Sequence, residues 1–420
     1  NSAANSNNQT VYIDDFKITV YKEFYGMYLD QLSPQISVVN SVFNATNSRF
    51  EKANLGVLGQ SVLNYENSIV NHALEDAIIT GHDSTQINIS NSIFSAHEGS
   101  AIHILKNNCE INISNSELSG NQLDALLIDG ENCLTNLSKS VFKENENWAY
   151  NATGHYNTLE GDSLSFENNG AGLRSQRSNS GINLFDVEFS NNTGNAIETN
   201  GQYSHVRLEK GVFNGNASAV YMVGDAFATL DNCVIHDNSG IGVRTNGNQI
   251  INYSTIFNNG GIGLHTDNSM ALQNSIVYNN NPNELMQVYC AENLDAQYSI
   301  IQGVYSYGIN SNPNEETLNN VITEDPLLDP NGYLLEGSPA IDAAMPWEHD
   351  HIMPPGLLGV TADIGAYGGP NNHVWGDGDS QATEIPDGAP SILEIIDIPQ
   401  DQGGYVGLQF QGSVFDFELA

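Results

Sequence analysis

The sequence predicts an all-β fold, a parallel β-helix of about twelve coils, and three observations point to it. First, Cys233–Thr245 reads CVIHDNSGIGVRT, and Ser254–Thr266, one repeat later, reads STIFNNGGIGLHT. Second, this sequence pattern recurs along the chain at intervals of 21 to 27 residues. Third, each repeat contains short alternating runs such as QINIS and AIHIL. A fixed period of this length indicates a solenoid, and the alternation indicates strands, three short ones per coil.

Each repeat has one apolar residue at an equivalent place, which we use as its marker. We expect the markers to stack in one interior column, since neighbouring coils lie one strand spacing apart, roughly 4.8 Å. A leucine-rich repeat has a similar period but needs a helical or irregular half with fixed leucines, and that pattern is missing here. The markers are Phe43, Val70, Phe94, Leu118, Phe142, Phe166, Phe189, Phe213, Ile235, Ile256, Val277 and Ile301.

Asparagine is abundant at the turns that follow the markers, and it makes up 56 of the 420 residues. This residue tolerates left-handed backbone and hydrogen-bonds its own turn. When asparagines stack at the same turn of each coil, their amides can also form a ladder along the axis. We expect such a ladder from Asn145, Asn168, Asn191, Asn216, Asn238, Asn258 and Asn279.

The segment after the last repeat reads DPLLDPNGYLLEGSPAIDAA (Asp325–Ala344) and then ADIGAYGGP (Ala362–Pro370). With the repeats, it resembles the closing part of secreted bacterial right-handed parallel β-helix proteins of the pectate-lyase-like superfamily. The resemblance implies a right-handed helix and a location outside the cell or on the bacterial cell surface. It implies no particular activity, because this fold carries lyases, hydrolases, epimerases, adhesins and structural fibres.

The domain organisation follows from these patterns. We predict coils over residues 1–305, a closing segment over 306–370 and an acidic Gly/Pro linker over 371–390. Residues 391–420 resemble the opening strands of a fibronectin-III-like β domain and are too few for a complete sandwich. We therefore expect the chain to be part of a longer protein, with further domains or self-association.

The charge of the chain narrows the classes of partner. Its 50 acidic residues against 12 basic ones give a formal net charge of −38. Nucleic-acid binding requires a basic face, so we exclude nucleic acid as a partner. No apolar run approaches the roughly 18 residues of a membrane span. We expect the partner to be an extracellular glycan or another surface or matrix protein.

Two of the four cysteines are spaced by one coil. Cys109 and Cys133 are 24 residues apart, and each lies nine residues before its marker. Residues stacked on adjacent coils are about 5 Å apart, within the Cα range of a disulfide. We predict a disulfide here, consistent with an oxidising compartment; the alternative is a pair of stacked buried thiols. Cys233 and Cys290 are out of register with each other and are expected to be unpaired core residues.

In the GIGVRT part of the repeated pattern, we expect the aliphatic side chains to face inward and the alternate side chains to face outward. The expected outward residues fall into two columns, one with Glu198 and Tyr221, the other with Arg174, Asn200, Arg244 and His265. Arg244 and His265 should lie on neighbouring coils. Small residues in the first column, which we expect to leave room for a sugar chain, are Gly172, Gly242 and Gly263.

Two functions are compatible with this face. In a lyase that performs β-elimination on a uronate polymer, the catalytic residues would be Arg244, His265 and Tyr221, and the substrate-binding residues Arg174, Glu198 and Asn200. Calcium could neutralise the uronate carboxylate, and Asp377 and Asp379 in GDGDSQATE are candidate calcium ligands. However, no catalytic motif of the family stands in these columns. The first hypothesis is therefore a non-catalytic scaffold with an adhesive, matrix-forming or glycan-binding role, in which these side chains keep the surface soluble.

Overall fold

The structure is a computed structural model that describes residues 11–13, 35–38, 42–51, 54–57, 59–282, 286–306, 317–350, 361–375, 391–397 and 406–411. The chain divides into two compact units, Asn1–Asn372 and His373–Ala420. The first unit is a right-handed parallel β-helix, which confirms the predicted fold class. Each coil contributes three short strands, as the alternating runs predict.

One strand per coil belongs to the front sheet, which has fourteen parallel strands among the described residues. These strands are Val11–Ile13, Gln35–Val38, Asn54–Val57, Ile78–Thr80, Ile102–Ile104, Leu126–Ile128, Trp148–Ala152, Ala171–Ser175, Ile197–Thr199, Val220–Met222, Val243–Thr245, Leu264–Thr266, Val288–Cys290 and Val304–Ser306. Most have three residues, the outer two buried and the middle one facing out.

The other two strands of each coil form the back sheet, which has twenty-one parallel strands within the described ranges. They are Val42–Thr46, Arg49–Glu51, Val62–Glu66, Ile69–Asn71, Gln86–Ser90, Ile93–Ser95, Glu110–Ser114, Glu117–Ser119, Leu134–Lys143, Thr158–Glu167, Gly181–Ser190, His205–Asn214, Phe227–Asp231, Val234–His236, Gln249–Asn252, Thr255–Phe257, Met270–Gln273, Ile276–Tyr278, Leu294–Gln297, Ile300–Ile301 and Thr317–Asn319. Its ten-residue strands are two shorter strands joined through a bend.

The marker column lies in the core, with one correction. From Val70 to Ile301 the predicted markers pair in register, and their side chains are almost fully buried. The first marker is wrong: Phe50, not Phe43, pairs with Val70. Phe43 pairs with Leu63 in the adjacent column. Two consecutive strands each bury an aromatic residue here, so spacing alone cannot decide between them.

Left-handed residues make the bend between the two back-sheet strands of each coil. This turn column comprises Asn47, Asn67, Asn91, Asn115, Lys139, Ser163, Asp186, Lys210, Asn232, Tyr253, Asn274, Tyr298 and Asn320, with φ between 39° and 54°. Asparagine is favoured there because it adopts this conformation at low cost. Lys210 bonds Asp186 on the preceding coil, with 2.7 Å between Nζ and Oδ1.

A ladder of buried asparagines follows the marker column, although the sequence prediction merged two neighbouring columns. The asparagines of this ladder are Asn121, Asn145, Asn169, Asn192, Asn216, Asn238, Asn259 and Asn280. Each side-chain Nδ2 donates to the Oδ1 of the next coil at 2.6–3.0 Å. Four predicted members, Asn168, Asn191, Asn258 and Asn279, lie one residue earlier and instead supply the left-handed backbone of the turn.

Different residues stand at the two ends of this ladder. At the first rung, His97 accepts a hydrogen bond from the Ala73 main-chain N–H at Nδ1 (3.1 Å), and its main-chain N–H donates to Asn121. At the last rung, Gln287 Oε1 accepts from both the main-chain N–H and the Nδ2 of Asn280, at 2.7 and 3.0 Å. Burial lowers the pKa of His97 to about 4, so the ring is neutral near pH 7.

The described parts of the closing segment, residues 317–350 and 361–370, pack against the flank of the last coils. Glu348 accepts hydrogen bonds from Tyr253 Oη and from Asn274 Nδ2, two residues of the turn column. A second apolar cluster seals the contact and comprises Tyr253, Ile276, Ile300, Ala340, Ala344, Ala362 and Ile364. Since burial of apolar surface drives association, this cluster is what fixes the segment to the helix.

The second unit contains an antiparallel strand pair, Ser391–Asp397 with Val406–Gln411. The fibronectin-III-like module and the domain boundaries remain predictions, and most of the predicted linker lies outside the described residues. Asn372–Trp375 forms one turn of 3-10 helix. Among the described residues, no helix combines the length and apolar character that crossing a bilayer requires.

Candidate functional site

The middle residues of the front-sheet strands form one outward column that runs along the helix axis. Its successive members are Ile79, His103, Leu127, Asn151, Arg174, Glu198, Tyr221, Arg244, His265 and Tyr289. Five of the six predicted site residues therefore stand in a single column and not in two. Arg244 and His265 lie on neighbouring coils, as expected, and Asn200 lies just beyond the Glu198 strand.

The two-column prediction was wrong because it took the wrong step between coils. Asn151 pairs with Arg174, 23 residues later, so Arg174 and not Gly172 stands in the same column as Glu198 and Tyr221. Val243 and Thr245 are fully buried on either side of Arg244, so the strand has one outward position. The predicted glycine groove is also absent: a Cβ at Gly172 would lie 2.2 Å from the carbonyl oxygen of Ala196, which leaves no open space.

Arg174 is held between an aromatic ring and a carboxylate. Its guanidinium carbon lies 5.2 Å from the ring centroid of Trp148, and its Nε lies 3.5 Å from Glu198 Oε1. Asn195 and Asn200 donate to the two oxygens of Glu198, each at 3.0 Å. The charges of Arg174 and Glu198 therefore largely cancel. The amides fix the carboxylate in place, because bonds to an ionised acceptor are stronger than neutral ones.

Arg244 and His265 make a second group further along the column. Arg244 lies over the Tyr221 ring, with its guanidinium carbon 5.3 Å from the centroid and Nη1 3.4 Å from Oη. His265 lies 4.5 Å from the Tyr289 ring, centroid to centroid, and its Nε2 is 3.3 Å from Asp267. Burial, and to a lesser degree Arg244, lowers the pKa of His265, although Asp267 acts in the opposite direction. The imidazole is therefore neutral at pH 7.

His103, nearer the amino-terminal end of the column, bridges three coils. Its Nδ1 is 2.8 Å from Asp76 and its Nε2 is 2.9 Å from Asp129. Burial alone would lower the pKa of His103, but the hydrogen bonds and charges of the two aspartates raise it above its ordinary value. The ring therefore holds a proton more readily than a free histidine and ties the two carboxylates together.

A shallow groove of about 590 Å³ opens beside Trp148 at the edge of the front sheet. It is lined by Glu146, Asn147, Trp148, Gly170, Ala171, Thr193, Gly194, Asn195, Glu198 and Ala217. Trp148 pairs in register with Ala171 on the next coil, so a large side chain is followed by a small one. This change of size produces the groove, and Glu198 links it to the outward column.

The cysteines of the predicted disulfide lie in the described part of the chain, whereas the predicted calcium ligands do not. Cys109 and Cys133 are buried as free thiols on adjacent coils, in register because their neighbours Glu110 and Leu134 pair. The bridge between them therefore remains a prediction. Cys233 and Cys290 are buried in the core, as expected. Asp377 and Asp379 lie outside the described residues.

The outward column does not fit a calcium ion. Glu198 is its one carboxylate, and Arg174, Asn195 and Asn200 already engage both of its oxygens. Calcium takes six to eight oxygen ligands, several of them carboxylates. Within the described ranges, no group of three or more histidine, cysteine, aspartate or glutamate side chains is arranged to hold a metal ion.

Sequence reasoning missed Trp148, Tyr289 and Asn195. Trp148 is the first residue of a five-residue strand, and no Gly-Ile-Gly motif precedes this strand in the sequence. Tyr289 follows a coil that is longer than the preceding one. In its strand the partner of Leu264 is Val288, which does not belong to a Gly-Ile-Gly motif. Aligning the repeats on the outward residues, and not only on the apolar markers, would have found Tyr289.

Comparison with known proteins bears mainly on the fold. Residues 171–322 match a family model described as the right handed beta helix region, which agrees with the coils seen here. No curated protein matches the chain. One solved structure, titled "Crystal structure of pectate lyase Pel9A", is 12% identical with a TM-score of 0.32, over 79% of this chain and 87% of that one. At this TM-score, the likeness says nothing about activity.

Proposed function

We propose that the chain is an extracellular or cell-surface bacterial scaffold whose front sheet binds a glycan, in adhesion or in matrix formation. The observation that carries the proposal is the mutual pairing of the outward side chains. Arg174 pairs with Glu198, Arg244 with Tyr221, and His265 with Tyr289, on successive coils. Such an extended row of aromatic and hydrogen-bonding groups suits a polymer that lies along the axis.

The rigidity of the face supports this role. Each outward residue sits on a strand that is hydrogen-bonded to both neighbouring coils, and the flanking side chains are buried in one continuous core. Side chains on such a frame lose little conformational freedom on binding. A net charge of −38 also favours solubility, which suits the proposed location.

A polysaccharide lyase is the second candidate, and the pairing of Arg244 with His265 favours it. A neutral imidazole beside a guanidinium could take a proton from a uronate while Arg244 neutralises its carboxylate. The lowered pKa of His265 provides the neutral form. Any calcium dependence belongs to this candidate, with Asp377 and Asp379 as the ligands that we propose.

One experiment separates the two candidates. The protein is incubated with soluble uronate polymers, with and without calcium, and the absorbance of an unsaturated product is followed; binding to the same and to neutral polysaccharides is measured by affinity electrophoresis. A scaffold binds glycan and forms no product. Product formation that is lost in Arg244→Ala would overturn the scaffold.

Arg244→Ala also tests the binding face. We expect glycan affinity to fall by roughly ten- to a hundredfold, because a hydrogen bond from a charged donor contributes roughly 1.5–3 kcal/mol. The fold should persist, since Arg244 faces out. Arg207→Ala is the matched control: this exposed arginine lies on the back sheet, and its removal should leave binding unchanged. Equal losses in both variants would indicate a general charge effect.

A further inference from the structure

We propose that the groove beside Trp148 binds an uncharged, hydroxyl-rich sugar chain. The inference rests on the proposed glycan-binding function and names the class of ligand and its site. The groove volume, about 590 Å³, falls within the range of small-molecule sites, roughly 300–1,000 Å³. Its lining combines one large aromatic ring, several small residues and a few polar groups, which is the composition of a site that orients a ligand.

The shape of the groove comes from the register of the coils. Trp148 pairs with Ala171, and Asn195 follows on the next coil. The ring therefore stands as a wall, while Gly170 and Ala171 form a low floor. The carbon-bound hydrogens of a sugar ring can pack against the apolar face of tryptophan. An indole offers large contact area with little rotamer freedom to lose.

Two side chains of the groove lining, Glu146 and Glu198, are carboxylates and only accept hydrogen bonds. Asn195 and Asn200 hold Glu198, and Glu146 is exposed at the rim. Among the described residues, none donates a side-chain hydrogen bond to the Glu146 carboxylate. Sugar hydroxyls are donors, and hydrogen bonds to an ionised carboxylate are roughly twice as strong as neutral ones. The Glu146 carboxylate can therefore accept from a sugar hydroxyl and help to fix the orientation of a hydroxyl-bearing ring at the groove.

Charge selects against an acidic sugar. The lining residues include two glutamates and no arginine, lysine or histidine. Arg174 touches Trp148 and Glu198 from outside the lining, and it offsets only one of the two negative charges. A uronate or sulfate group in the groove would face Glu146 without a cation of its own. An uncharged chain avoids this repulsion, which acts over about 8 Å at physiological salt.

Arg174 is a positioning residue for this site. It contacts the ring of Trp148 and the carboxylate of Glu198 at the same time, so it holds the wall and one acceptor in a fixed relation. The guanidinium stays charged at all relevant pH values and stacks on aromatic faces, which a lysine does less well. Arg174→Lys should therefore weaken binding while keeping the net charge.

Binding is measured by titration calorimetry with cellohexaose, xylohexaose and mannohexaose as neutral probes and hexagalacturonate as the acidic probe. Trp148→Ala removes the wall. Because Trp148 is half-buried and is the first residue of its strand, Thr193→Trp provides a second variant that fills the groove from an exposed position. Trp347→Ala is the matched control, since Trp347 is 68% exposed on the closing segment, away from the groove lining.

We expect at least one neutral probe to bind about tenfold more tightly than hexagalacturonate. Trp148→Ala and Thr193→Trp should each weaken that binding by tenfold or more, and Trp347→Ala by less than twofold. Binding of the acidic probe alone would overturn the ligand class. Neutral binding that both groove variants leave unchanged would overturn the site but not the proposed function. Failure of every probe, and of the polysaccharides above, would overturn both.

Discussion

Asn192 lies in the middle of the buried asparagine ladder, and its replacement by alanine removes four hydrogen bonds at once. Its Oδ1 accepts from the main-chain N–H and the Nδ2 of Asn169, at 2.9 and 3.0 Å. Its Nδ2 donates to the Phe166 carbonyl at 2.9 Å and to Asn216 Oδ1 at 2.8 Å. The residue is 1% exposed, so water cannot take over these partners.

The loss of stability in Asn192→Ala follows from the buried hydrogen-bonding groups that the substitution leaves behind. The Asn169 main-chain N–H and the Phe166 carbonyl each lose this partner inside the core. A buried group left without a hydrogen bond costs about 1–3 kcal/mol, so the two together cost roughly 2–6 kcal/mol. Asn191, the preceding residue, is exposed and has a φ of 54°. Asn191→Ala loses mainly the preference for left-handed backbone, worth about 1 kcal/mol.

The two variants form a matched pair, because they delete the same side chain from adjacent positions. Guanidinium denaturation followed by circular dichroism gives the free energy of unfolding for each. Since a solenoid can unfold in parts, hydrogen exchange with mass spectrometry should accompany it. Peptides that contain Asn169 should lose protection in Asn192→Ala and keep it in Asn191→Ala. Equal destabilisation of both variants, with unchanged exchange, would refute a stabilising ladder.

Three further predictions concern the core, the His103 bridge and the cysteines. Phe166→Ala should destabilise the protein by about 3–5 kcal/mol in the same denaturation assay, because this ring is fully buried and lies 4.6 Å from the Phe189 ring; a loss below 1 kcal/mol would contradict the stacked core. The pKa of His103 is raised, so its stabilisation should be complete below about pH 6.5 and fade as pH rises through the folded pKa. The difference in denaturation midpoint from His103→Gln should then shrink as the pH rises above about 6.5 and through the folded pKa, and a constant difference would argue against the bridge. Peptides of Cys109 and Cys133 should appear joined in non-reducing mass mapping, whereas alkylation of both thiols under non-reducing denaturation would reject the disulfide.

Much of the fold could be predicted because each coil buries the same kind of core residue at an equivalent position. The marker at Phe166 recurs with its neighbours at a nearly fixed period, and alternation fixes which residues face the core. The period does not distinguish two adjacent columns of the same residue type. For this reason the choice between Phe43 and Phe50, and between Asn191 and Asn192, depended on hydrogen bonds that only the structure shows.

The candidate site was less predictable, because it depends on coil steps that vary by one or two residues. Arg174 and Glu198 are near in space because their strands pair across a 24-residue step, after a 23-residue step from Asn151. An error of two residues assigns the one outward position to the wrong side chain, as it did for Gly172 and Arg174. Glu348 contacts Tyr253 across 95 residues of sequence, and no repeated sequence pattern predicts this contact.

The ladder of amides has a direction, which gives the coils an order of assembly. Every rung donates toward the carboxyl-terminal neighbour, so a completed coil leaves Nδ2–H and main-chain N–H groups that only the following coil can satisfy. The amino-terminal coils thus present a template to the chain that comes after them. Gln287 ends this succession by accepting both donors of Asn280 from a loop seven residues further on. A chain that emerges from its amino terminus would therefore add the coils of the ladder one at a time, and the coils after Gln287 would join through their strands alone.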